Sequence, residues 1–369
     1  MATSLHLQSM TQRLTEGGEQ VSRKKTVASV TAILAIILMT VMLGSCGSSE
    51  DQDSTKGGTE GETYTFTMAT PWEASHPTAV PAVDFAQFVS ENCVTEDGKV
   101  VIEREFGPET IAGKEQLGAL KTGTVDVAEI VTDYAQGEIP AFKILLAPGV
   151  WTYSNWAQLW NEGVKDIIAD ALDEQGLVLL GAVAPMHKWV WMTESFDSLS
   201  DLKGKVIRGT GRPITDFISY VGAQPDSLAS SEVYTGLERG VIDGSMQGFT
   251  SYTQYGMWDV APYVLDYEFN ALLGVVVMNK SKFESLPVSL QEKLMEMDSL
   301  FQEQVTSYWI DVRDSAVEES KANGATFITV PASEIQDMDA YMNEVYSDAV
   351  TEDIPEVQAA FDVVLGKVK

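Results

Sequence analysis

Histidine, cysteine and basic residues are all scarce in this chain of 369 residues, and each scarcity removes a class of chemistry. The three histidines, His6, His76 and His187, give no HxxH or HExxH spacing, and Cys46 and Cys93 cannot make a CxxC pair, so a tetrahedral zinc site lacks its ligand set. Only 24 Lys+Arg face 54 Asp+Glu, a formal net charge of -30, which rules out a sequence-blind grip on nucleic acid or anionic lipid. Glycine motifs are incomplete as well. Gly209-Thr210-Gly211-Arg212-Pro213 lacks the third glycine and the Lys-Ser/Thr of a phosphate loop, and Gly244-Ser-Met-Gln-Gly248 carries Met246 where a nucleophile elbow needs serine. What is left favours recognition over turnover.

The content of the chain is that of a folded protein: 44 % hydrophobic and 9 % aromatic residues suffice for a full core in one large or two ordinary domains. Residues 1–45 are set aside as an export signal, because a basic segment, Arg23 to Lys25, precedes an apolar run to Leu43. The alternative, a membrane span, is disfavoured by the shortness of the run and its ending in small residues. Residues 1–20 fit no basic leader and read as a misassigned start, with Val21 as the true first codon. Leu43-Gly44-Ser45-Cys46 resembles the lipobox of bacterial lipoproteins, which marks Cys46 for lipidation. Residues 46–62 are Gly, Ser and acid, a lipid-anchored flexible tether. Removing the leader takes away Arg13, Arg23, Lys24 and Lys25 but only Glu16 and Glu19, so the remainder is more acidic than the whole. With Cys46 acylated, Cys93 has no disulfide partner and reads as a buried small apolar residue.

From Tyr64 onward strand and helix signals alternate, which defines an α/β class. "YTFTMAT" is a strand; "AVDFAQFVSENC" is a helix with Val83, Phe85, Phe88 and Val89 on one face; "KVVIEREF" is a strand; and "GKEQLGALKTG" is a helix closed by Gly123. "VDVAEIV" and "LVLLGAV" are further strands, and residues 154–176 between them predict one long amphipathic helix. Helices follow at "ITDFISYVG" and at "SEVYTGLERG", which starts at Ser230 or Ser231. The stretch "SLQEKLMEMDSLFQEQVTSYWIDVRDSAVEESKANG" is long enough for one extended or kinked helix. Trp189 and Trp191 alternate about Val190 and share one side of a strand. Trp72, Trp151, Trp189 and Trp191 are each core residues before they are anything else.

Against this background the segments "DLKGKVIRGTG", "VGAQPDSLASSEVYTGLERGVIDGSMQG" and "WDVAPYVLDYEFNALLGVVVMNKSKFESLPVSLQEKL" resemble the solute receptors of tripartite ATP-independent periplasmic (TRAP) transporters, the DctP-like family. "HPTAVPAVDFAQFV" and "GKVVIEREFGPETIAGKEQLGALKTGTVDVAEI" match the family's opening, so the resemblance runs from Tyr64 to about Leu294. It implies a two-lobed periplasmic substrate-binding fold with crossing hinge strands and a long interlobe helix. Lobe I is expected over 63–183 plus about 269–295, and lobe II over 184–268 plus about 296–369 with the long helix. It also implies a small-molecule carboxylate ligand, TRAP membrane subunits as partners, and neither catalysis nor a cofactor.

The family's carboxylate-pairing arginine falls on Arg208, whose planar guanidinium can bind both ligand oxygens. Two positions depart from the family's pattern. Gln247 stands where many members have Asn, and Lys188, preceded by His187, stands where many have a second arginine. One cleft wall is expected from Trp72, His76 and Glu129 and the other from Arg208 and Gln247, with Lys188, Trp189 and Tyr234 completing the candidates. Lys188 is open between a second anion contact and a strand-edge lysine reaching solvent. Lys203 and Lys205 read as solvated or transporter-facing charges. A receptor for another transporter or a sensor, or an enzyme on the same scaffold, are the competing readings.

Overall fold

The computed structural model describes residues 61–147, 150–183, 186–272 and 274–353; the export signal, Cys46 and the tether lie outside the described residues. The strands are β1 (Glu62–Ala69), β2 (Val94–Thr95), β3 (Gly98–Phe106), β4 (Val127–Val131), β5 (Leu177–Ala182), β6 (Met186–Met192), β7 (Val206–Arg208), β8 (Gln224–Asp226), β9 (Gly244–Gly248), β10 (Tyr263–Leu265), β11 (Phe269–Leu272), β12 (Gly274–Asn279) and β13 (Thr326–Ile328). They form two sheets. The first runs β2-β3-β1-β4-β12-β5; the second runs β13-β10-β6-β9-β7-β8, with β11 also on β6. Within the first, β1 is parallel to β3 and β4, and β12 is antiparallel to β4 and β5. Within the second, β7 is parallel to β8 and β9, and β6 runs antiparallel to β9, β10 and β11.

The α-helices are α1 (Val80–Asn92), α2 (Gln116–Thr122), α3 (Thr132–Ala135), α4 (Trp156–Leu159), α5 (Lys165–Asp173), α6 (Arg212–Tyr220), α7 (Val233–Glu238), α8 (Phe249–Gln254), α9 (Lys280–Glu284), α10 (Val288–Ala322) and α11 (Ala332–Asp353). Helix α1 buries Ala82, Phe85, Ala86 and Val89, while Val83 and Phe88 of the expected face are half-buried. The single helix expected over 154–176 is broken into α4 and α5. At Gly163 φ is 126°, a left-handed value that other residues avoid, so the helix cannot pass through it. The break lets Trp156 and Trp160 both turn to α10, where their indole N–H groups donate to Thr306 Oγ1 (2.9 Å) and Asp298 Oδ2 (3.0 Å).

The chain passes between the sheets from β5 to β6, again from β11 to β12, and a third time along α10. The long helix buries Leu290, Leu294, Met297, Phe301, Val305 and Trp309, a three-to-four-residue spacing that keeps one stripe inward. This arrangement has the two lobes, crossing strands and interlobe helix that the resemblance implies. It differs from the expected partition in two places. Phe269 pairs with Lys188, which puts β11 in the second sheet, and α10 stays against the first sheet well beyond residue 295, with Phe301 on Phe85 and Phe88 and Asp298 on the end of β5.

One apolar cluster fills the first lobe and reaches one face of the second sheet through Trp189, Trp191, Phe249 and Tyr252. A smaller cluster lies behind the opposite face, with Val190, Ile207 and Met246 against Phe217, Ile218 and Met338. Cys93 is fully buried, and burial pushes its thiol pKa to about 11, so it packs as an apolar side chain.

Candidate substrate cleft

In open α/β sheets ligands bind beyond the carboxyl ends of the strands. In the second sheet that end carries Arg208, the last residue of β7, Gln247 near the end of β9, and Lys188 near the start of the antiparallel β6. Arg208 pairs with Ser245 across the sheet, and strand alternation then sets Arg208, Ser245 and Gln247 on one face. Ile207 points the other way, into the smaller apolar cluster, which anchors the short strand. Gly209 follows because β7 and α6 approach so closely that a Cβ there would lie 2.3 Å from Ile214 Cγ2.

Arg208 is 9 % exposed and donates from Nε to the Leu228 carbonyl at 2.9 Å. Among the described residues no carboxylate pairs with it. Burial lowers its pKa, opposed by Asp226 and Tyr134, but a guanidinium stays charged. The face of the fork is therefore a buried positive charge with donors to spare. Gln247 accepts from Ser230 Oγ (2.9 Å) and donates to Ser245 Oγ (2.9 Å), which fixes its amide beside Arg208's strand.

The first lobe faces this with the ends of β1 and β4. Tyr134 on α3 is half-exposed; burial raises its phenol pKa, Asp133 adds to the rise and the Arg208 charge counters it. Glu129 on β4 is fully buried and neither carboxylate oxygen has a partner, so burial holds its pKa well above the usual range. Gln116 and Thr132, fully buried at the starts of α2 and α3, also have side-chain polar atoms without partners. These two residues escaped sequence reasoning; their only signal was a polar residue at a helix start. Trp72 stacks on His76 with ring centroids 5.8 Å apart, and Arg104 supports the turn through Thr70 Oγ1 (2.7 Å) and the Trp72 carbonyl (3.2 Å). Burial lowers the His76 pKa, opposed by a hydrogen bond to Gln254 on α8, a second contact between the lobes.

Lys188 does not reach solvent as a strand-edge lysine would. It is 7 % exposed, and its Nζ lies 3.4 Å from Asp133 Oδ2, an ion pair from the second sheet to α3 of the first lobe. Trp189 is 2 % exposed and packed on Phe249, Tyr252 and Phe327, on the sheet face it shares with Gln247. Tyr234 on α7 is half-buried against the larger apolar cluster. His187 is buried against the Tyr153 ring, with centroids 4.2 Å apart, and its Nδ1 is 2.9 Å from Glu268 Oε2. The approach falls outside hydrogen-bond geometry. Arg313 of α10 meets the same carboxylate at 2.8 Å; burial raises the Glu268 pKa but His187 and Arg313 outweigh it. A cavity of about 180 Å³ adjoins this group, lined by Trp189, Glu268, Arg313 and Asp314 among others; Arg208 does not line it.

Carboxyl strand ends of the two lobes thus meet beside a buried arginine. Residues 68–353 match the family model described as bacterial extracellular solute-binding protein, family 7 (DctP). The chain belongs to this family. It is 27 % identical over 209 residues to a solute-binding protein of Albidiferax ferrireducens, covering 54 % of this chain and 60 % of that one. It is also 27 % identical over 197 residues to the 2,3-diketo-L-gulonate-binding periplasmic protein of Escherichia coli, covering 51 % and 59 %. The matched part thus spans less than two thirds of either relative's length. Among solved structures, an apo, open TRAP periplasmic solute-binding protein from Rhodobacter sphaeroides is 27 % identical with a TM-score of 0.68, over 82 % of this chain and 96 % of that one. One from Chromohalobacter salexigens with bound D-glucuronate is 19 % identical with a TM-score of 0.69, over 82 % and 100 %.

Proposed function

We propose that the protein captures an organic acid by its carboxylate at Arg208, encloses it between the lobes, and delivers it to the membrane subunits of a TRAP transporter. The observation that carries this reading is the buried guanidinium of Arg208, in ion-pair contact with no carboxylate among the described residues, at the open end of β7. Two parallel N–H donors fit a carboxylate, and in a partly desolvated cleft such a pair is stronger than at the surface. The ligands named for relatives, 2,3-diketo-L-gulonate and D-glucuronate, are acids of the same kind. The net charge of -30 repels anions, but that field is screened within about 8 Å at physiological salt, so selectivity rests on contacts inside the cleft. A thermal-shift screen of organic acids tests the reading. A ligand at 100 times its Kd adds about 2.7 kcal/mol to stability, and a panel in which no acid raises the melting temperature contradicts it.

The reading includes a lipid anchor at Cys46, supported by Leu43-Gly44-Ser45-Cys46 at the end of the apolar run. Mass spectrometry of membrane-extracted protein should show an acylated Cys46 at the mature N-terminus. A mature chain that retains residues before it would refute the anchor.

A further inference from the structure

Arg208 and Lys188 are the two buried cations among the described residues, and they differ in what faces them. Arg208 has a backbone carbonyl and, although Asp226 neighbours it on β8, no carboxylate within ion-pair distance; Lys188 has Asp133 at 3.4 Å, reached across the cleft. The flanking positions in the sheet, Gly248 and Phe269, offer Lys188 no other acid. On the first lobe the polar groups left unpaired at the end of β4 and the starts of α2 and α3 are an amide, a hydroxyl and the Glu129 carboxyl. Burial drives that carboxyl toward its neutral acid, so all three suit hydroxyl or carbonyl groups of a ligand and none balances a second negative charge.

Resting on the reading of Arg208 as the carboxylate anchor, we propose that Asp133 restricts the receptor to acids with one carboxylate: it holds Lys188 across the cleft, so a second ligand carboxylate meets an anion where a free ammonium would have accepted it. Discrimination then comes from a repulsive element as much as from attraction. A neutral hydroxyl in the same place is tolerated, because Lys188 keeps N–H donors beyond the one directed at Asp133.

The test is calorimetry with acids differing by one carboxylate, D-glucuronate against D-glucarate and 4-hydroxybutanoate against butanedioate. The variants are Asp133→Asn, Asp133→Ser, Lys188→Gln and Arg208→Ala, each checked for folding by thermal melt. Wild type should bind the monocarboxylate of a pair at least ~10-fold tighter. Asp133→Asn should strengthen the dicarboxylate by ~10-fold or more and change the monocarboxylate less than ~3-fold, whereas Lys188→Gln should give no such gain. If Asp133→Asn fails to fold, Asp133→Ser carries the same expectation. A folded Asp133 variant with an unchanged ratio overturns the proposal, as does a wild type that prefers the dicarboxylate. Arg208→Ala separates the two readings: intact binding of both acids in that variant sinks the anchor, while the ratio in the Asp133 variants still reports on Asp133. Absence of binding to any of the four acids overturns both.

Discussion

Among the described residues two carboxylates lie fully inside the molecule, under opposite circumstances. Asp298 on α10 is 2 % exposed and surrounded by donors: Lys165 Nζ at 2.8 Å, Trp160 Nε1 at 3.0 Å and the Ala182 amide at 3.2 Å. Glu129 on β4 is 0 % exposed and has none. The first is a fully satisfied network that joins the interlobe helix to the end of β5, and it is part of how the first lobe holds its shape. The second is a buried polar group on β4 left without a partner, the kind of group that calls for an explanation beyond stability. Burial alone therefore does not separate structural from functional polar residues here; the partners do.

The largest expected effect breaks the satisfied site. Asp298→Ala leaves the Lys165 ammonium and the Trp160 N–H without their acceptor, so urea unfolding should show a loss of about 3 kcal/mol. A loss below about 1 kcal/mol would mean that water replaces the carboxylate and that the seam is less closed than described.

The opposite outcome is expected at the unsatisfied site. Glu129 has its pKa raised in the folded state, so that state keeps the proton where the unfolded chain, near its ordinary value of about 4.3, has lost it. Stability from this group is complete below that value and declines as pH rises toward the folded value. Glu129→Gln removes the titration. Thermal melts from pH 4 to 8 should show the variant gaining on wild type as pH rises, by about 1 kcal/mol or more at pH 8. Parallel curves would show that Glu129 finds a partner in solution.

The difference between these two sites also marks how far the sequence could be read. Strands β1 and β3 were legible from local alternation, and α2 ends at Gly123 as its pattern requires. Arg208 was found through a motif resemblance, since nothing in the spacing of Lys203, Lys205 and Arg208 alone separates a cleft residue from surface charges. Asp298 was invisible, because its role depends on Lys165 and Trp160, which are far away in sequence and turned toward it only by the break at Gly163. Lys188 was open between ligand and solvent because its ion-pair partner, Asp133, lies on the other lobe. Trp189 was legible as one of a pair on one strand face, but not that the face is filled by Phe249, Tyr252 and Phe327. Local periodicity carries strands and helix ends; pairings between lobes need the fold.

Carboxylate capture as proposed depends most on Arg208, and titration calorimetry of Arg208→Ala and Arg208→Lys with an acid found by the thermal-shift screen tests this most directly. Removing one partner of a buried charge pair costs about 2 to 5 kcal/mol, so Arg208→Ala should weaken binding by about 30-fold to several thousand-fold. Arg208→Lys should recover only part, since the charge returns without the planar fork. Near-wild-type affinity in folded Arg208→Ala would contradict the account and remove this residue from the site.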